Sequence, residues 1–164
     1  TAGLWAGVFG FMNIFARAVG GILADRVGSR YGMRGKGLLL AGLLLLEGVG
    51  IGLFAASGNL TLAIVSMLSF AMFLKMANGT TYAIVPFVNK KAVGVVSGVV
   101  GAGGNVGGML MGFLFKSQSI SYAEAFLYIG GAVAVIGLAL ALVNFEKESV
   151  AEPVLEVQPA CTLI

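Results

Sequence analysis

An all-α, polytopic transmembrane bundle is the fold class that this 164-residue sequence predicts. One observation is composition. Hydrophobic residues make up 59% of the chain and charged residues only 10%, with a mean hydropathy of +1.00. That balance leaves too little polar surface for a water-soluble domain. The other is the length of the apolar runs. A helix rising about 1.5 Å per residue needs about 20 apolar residues to cross a hydrocarbon core about 30 Å thick, and five runs of that order are present.

The first run, residues 2–24, leads into the polar break DRVGSRYGMRGK, and the second, 37–56, ends at SGN. The third, 60–88, is longer than one crossing needs and fits a tilted helix or an end bent at Pro86. The fourth, 92–115, follows NKK, and the fifth, 122–144, follows KSQSIS. Residues 1–145 therefore read as one membrane unit. Residues 146–164 read as an acidic, proline-containing tail poor in aromatics, expected to be disordered.

Basic residues in the breaks orient the chain. Arg26, Arg30, Arg34 and Lys36 lie in the first break and Lys90 and Lys91 in the third, whereas the second has none and the fourth only Lys116. The positive-inside rule then places the first and third breaks in the cytoplasm. The chain enters from the outer face, and its tail ends inside. A start at Thr1 that runs almost at once into a span, with no positively charged leader, is expected of a piece of a longer protein.

Several function classes find no support. The formal charge of +3 resides in loops, so no nucleic-acid partner is expected. The single Cys161 cannot form an intrachain disulfide and does not suggest a metal site, and the chain has no histidine. No nucleophile-and-base constellation points to an enzyme, and no cofactor motif is present.

Ionisable groups inside the spans are expensive, at least about 2.5 to 3.5 kcal/mol each at the bilayer centre, and are functional candidates for that reason. Arg17, Glu47 and Lys75 qualify. Counted from the cytoplasmic basic residues at the helical rise, they lie roughly 13, 16 and 22 Å deep. Glu47 could simply neutralise Arg17 or Lys75. Two cations against one carboxylate nevertheless leave a net positive interior that favours an anion. Gly10, Asn13, Arg17, Gly20 and Ala24 share one helical face. A guanidinium there offers a planar fork of donors suited to a planar oxyanion.

The run 92–115 has the same design. Gly94, Gly98, Gly101, Asn105, Gly108 and Gly112 recur at spacings of three and four. Asn105 is the one side chain larger than hydrogen in the stripe, roughly 21 Å from the cytoplasmic side. Gly103, Gly104 and Gly107 widen the smooth surface, which would let helix backbones approach and slide. Asn105, close to the depth of Asn13, needs a partner or a substrate.

GGILADRVGSRYGMRGKG resembles the loop motif that major facilitator transporters carry between helices 2 and 3 and, in weaker form, between helices 8 and 9. Within that superfamily, GTTYAIVPFV followed by KK and VSGVVGAGGNVGGMLMGFLF is similar to the nitrate/nitrite porter family. GAGGNVGG resembles its glycine-rich signature on helix 11, and FGFMNIFARAVGG its helix 8. The resemblance runs from about residue 3 to 145.

It implies helices 8 to 12, the last five of a twelve-helix plasma-membrane transporter working by alternating access, with helices 1 to 7 as its missing N-terminal half. Nitrate or nitrite would be bound by Arg17 and by a second arginine on that half, with Asn105 and Asn13 nearby and protons as the coupling ion. The signature glycines Gly101, Gly103, Gly104, Gly107 and Gly108 would let the bundles rock against each other. Asp25, Arg26, Arg30 and Arg34 would latch the cytoplasmic side, although topogenic charge alone explains the arginines equally well. A transporter of another anion or small solute, and a self-associating helical membrane scaffold, remain alternatives.

Overall fold

The computed structural model describes residues 2–116 and 120–143, and among them every regular element is a helix. The order is α1 (Ala2–Ala55), α2 (Leu60–Val88), α3 (Val93–Lys116) and α4 (Tyr122–Leu142). Each is long and apolar enough to cross a bilayer. The tail expected at 146–164, with Cys161, lies outside the described residues.

α1 combines the first two apolar runs. Its apolar part, Gly10–Ala55, has 46 residues. A straight helix of that length would reach about 69 Å, more than twice the hydrocarbon thickness. The helix is interrupted at Gly32, which adopts φ 64° and ψ −156°. That region is open to glycine and closed to residues with a Cβ. Residues on either side fold back toward each other, since Lys36 Nζ donates to Asp25 Oδ1 at 2.9 Å. Eleven residues along a straight helix would separate them by about 16 Å.

The expected polar loop over 25–36 is therefore not a loop. Helix continues on both sides of one glycine, because Arg, Met and Lys are good helix formers whatever their polarity. Helix ends elsewhere fall within two residues of the apolar runs. α2 begins after Asn59, whose side chain accepts from the Leu62 N–H at 2.9 Å, and it continues past Pro86 to Val88. α4 begins with a reciprocal Ser121 and Glu124 capping box.

α1 is the spine of the bundle. It packs mainly on α2, then on α4, while α3 touches α2 and α4 only lightly. The contacts with α1 use small residues, as expected where lipid offers no hydrophobic drive between helices. A Cβ added at Gly20 would lie 2.6 Å from Met76 Cα, and one at Gly48 would lie 2.8 Å from the Gly130 carbonyl oxygen. Two further devices hold the ends. At the Gly32 end, the Lys36 ammonium pairs with Asp25, donates to the Ala83 carbonyl at 3.2 Å and lies 4.4 Å from the Phe87 ring centre. At the other end, Phe54 meets Phe70 and Phe126 with ring centres 5.7 and 5.0 Å apart, and Phe126 meets Phe115 at 5.0 Å. This aromatic chain links all four helices.

Candidate functional site

The sequence GTTY, residues 79–82, assembles the site, each residue doing something different. Gly79 lets α2 reach the backbone of α1: a Cβ there would collide with the Arg17 carbonyl and come within 3.0 Å of the Gly21 nitrogen. Thr80, fully buried, donates its hydroxyl to the Gly20 carbonyl at 3.1 Å. Thr81 returns its hydroxyl to the Ala77 carbonyl at 2.9 Å. Tyr82 places its ring beneath Arg17, whose guanidinium carbon lies 4.7 Å from the ring centre.

Two cavities flank this stretch. The first, about 450 Å³, is lined by Asn13, Ile14, Arg17, Ala18, Gly79 and Tyr82. Asn13 and Arg17, expected on one face of the first span, thus share a concavity, and Arg17 is exposed there. The second, about 490 Å³, lies between α2 and α3 and includes Asn78, Thr81, Tyr82, Gly101, Gly104 and Asn105. Asn105 is therefore not in the Arg17 cavity. Tyr82 lines both.

Chemically, the first cavity offers a delocalised cation and an amide, and the second is lined by two amide and two hydroxyl residues. Among these groups there is no carboxylate. The combination suits a hydrogen-bond-accepting anion rather than a cation or a purely apolar ligand. Glu47 belongs to neither lining set. It is 4% exposed, and its Oε2 finds no hydrogen-bond partner among the described residues. Arg17 meets Tyr82 where a Glu47 pair was one expectation.

Other expected residues lie apart from the cavities or only at their rim. Of the signature glycines, Gly101 and Gly104 line the second cavity. A Cβ at Gly103, Gly104, Gly107 or Gly108 would meet nothing within 4 Å, and α3 has no buried residue. Their smooth surface is thus presented outward from the described bundle. At the Gly32 end, Asp25 takes Lys36 as its partner, and Arg26, Arg30 and Arg34 are exposed. Tyr82, Asn78 and Thr81 were not singled out from the sequence. The available signal was a run of polar residues, NGTTY, inside an apolar span, which nothing in the helical pattern requires.

Comparison with known proteins finds relatives most of which are named nitrate transporters. The chain is 39% identical over 151 residues to high affinity nitrate transporter 2.5 of Arabidopsis thaliana, a match covering 90% of this chain and 30% of the relative. It is 38% identical over 112 residues to the nitrate/nitrite transporter NrtP of a Picosynechococcus strain, covering 65% of this chain and 20% of the relative. It is 37% identical over 146 residues to elsinochrome transporter 1 of Elsinoe fawcettii, covering 86% and 28%. The chain thus spans less than a third of the length of these relatives. No family model and no solved structure matches it.

Proposed function

We infer that this chain, which belongs to the nitrate/nitrite porter family, supplies part of the substrate path of a nitrate or nitrite transporter. The observation that carries this reading is the Arg17 guanidinium, exposed in an open cavity beside Asn13 in a span where a charge is costly. A flat anion accepts two parallel hydrogen bonds from such a fork, which a lysine ammonium cannot offer in the same geometry. Asn105, across Tyr82, supplies a second polar wall.

Transport itself requires the remaining helices, since relatives of this family are more than three times as long as the matched segment. In the complete protein, the Arg17 and Asn105 cavities would open alternately to the two sides of a plasma membrane. Asp25 and Lys36 would hold the cytoplasmic end, with the tail on that side, and protons would provide the coupling.

Arg17→Lys in the full-length protein tests the assignment. Nitrate uptake should fall at least about tenfold at unchanged protein level, the loss expected when one bidentate charged contact becomes a single one. Normal uptake by that variant would remove Arg17 from the site. Proton coupling predicts that a protonophore abolishes accumulation while leaving exchange intact. A second reading has one specific support, the relative named for elsinochrome. Under it, an organic solute should compete with nitrate uptake in proteoliposomes; absence of competition leaves the inorganic anion.

A further inference from the structure

Tyr82 is the one side chain among those lining the two cavities that belongs to both. Its ring lies beneath the Arg17 guanidinium, 4.7 Å from ring centre to guanidinium carbon. At its far end the hydroxyl oxygen is 3.6 Å from where a Cβ on Gly101 would stand, so it reaches α3 at a position without a side chain. The ring thus extends from α1 toward α3.

Its base is fixed. Gly79, one turn earlier, sits against the α1 backbone, and Thr80 bonds the Gly20 carbonyl from full burial. A tyrosine has few torsions to lose, so a rooted ring is a stiff support. The electron-rich face attracts a guanidinium placed over it. Engaging that cation through its face leaves its N–H donors, which lie in the guanidinium plane, available at the edges. Tyr82 also lines the cavity of Asn78, Thr81 and Asn105, and its phenolic oxygen is the atom that approaches Gly101 of that cavity.

We propose that Tyr82 is the positioning residue of the anion site: its ring holds the Arg17 guanidinium with its donor edge toward the cavity, and its hydroxyl joins the Arg17 side to the Asn105 side. The proposal rests on Arg17 being the anion contact. It suits a small oxyanion whose oxygens lie in one plane and can reach the edge of the ring, and it assigns the two cavities to one path.

The test uses the full-length transporter in proteoliposomes loaded for nitrate uptake, with amounts normalised. Tyr82→Phe removes the hydroxyl alone and should raise the nitrate KM about threefold, with maximal rate within about twofold of the parent. Phenylalanines carrying one, two and three ring fluorines at position 82 keep the shape but progressively weaken the ring's attraction for a cation. KM should climb stepwise along that series, by about fivefold in total. A residue that only filled space would give a flat series.

Arg17→Lys, measured alongside, separates the two ideas. If Arg17→Lys loses uptake while KM stays flat or falls along the fluorinated series, the role of Tyr82 is overturned and the anion site stands. If Arg17→Lys transports normally, the anion site is wrong and this proposal falls with it.

Discussion

At Gly79 one hydrogen atom decides whether the helices meet. Gly79→Ala should force α2 away from the Arg17 and Gly21 backbone and cost about 1 to 3 kcal/mol, as overpacking does. A lowered melting temperature in detergent would register it, and an unchanged one would contradict the close approach. Thr80→Val, nearly the same shape, deletes only the bond to Gly20. Its cost should be smaller, about 1 kcal/mol, in line with hydrogen bonds between membrane helices. At this scale the sequence was partly legible. Arg17, Asn13 and Asn105 stand out because a charge or an amide breaks an apolar pattern. Tyr82 does not, because a tyrosine passes as an apolar residue until a cation is found over its face. That Asn105 lies in a separate cavity from Arg17 was also hidden, since depth counted along each helix carries no information about which helices are neighbours.

Among the helices, the starts of α2 and α4 coincide with the ends of the polar breaks, where Asn59 and the Ser121–Glu124 box cap them. The reversal between the first two runs was expected from the polar break, but that a single glycine makes it was not, and the reason is local. Gly28, Gly32 and Gly35 all fall in the polar stretch, and only tertiary contacts select Gly32 as the residue that leaves the helix. Gly32→Ala should therefore cost about 1 to 3 kcal/mol, the range for a side chain forced into so sparse a backbone region. Gly42, which is helical and open to space, should accept alanine without loss. Comparing the yields of the two folded variants checks this.

The Lys36 contacts give an asymmetric expectation. The lysine side chain is 6% exposed and its partner Asp25 is 72% exposed. Asp25→Asn strands a buried ammonium, whereas Lys36→Met removes the charge and keeps the volume. Asp25→Asn should thus be the more destabilising, by about 1 kcal/mol after allowance for the exposure of the carboxylate. The reverse order in thermal unfolding would show that the ion pair does not hold that end.

For the molecule as a whole, the fold class and the family were both legible, composition giving the first and the GAGGNVGG and GTTY stretches the second. The uneven strength of the bundle was not. α2 and α4 each make close backbone contacts with α1, while α3 is joined through Phe115 at one end and the neighbourhood of Tyr82 in its middle. With Cys161 replaced by serine, a cysteine at Gly104 should react readily with a water-soluble maleimide in detergent, and one at Gly130 should not. Equal protection at both positions would mean that α3 is held as firmly as the rest.

Firm α1 and α2 beside a lightly held α3 give the two polar walls different mountings. Arg17 and Tyr82 travel together because Gly20, Gly79 and Thr80 lock their helices. Asn105 rides on α3 and is free of that lock. An anion held in the cavity between α2 and α3 would then act as a removable strut across that seam, so that occupancy is sensed as spacing between two helices rather than as a change within either.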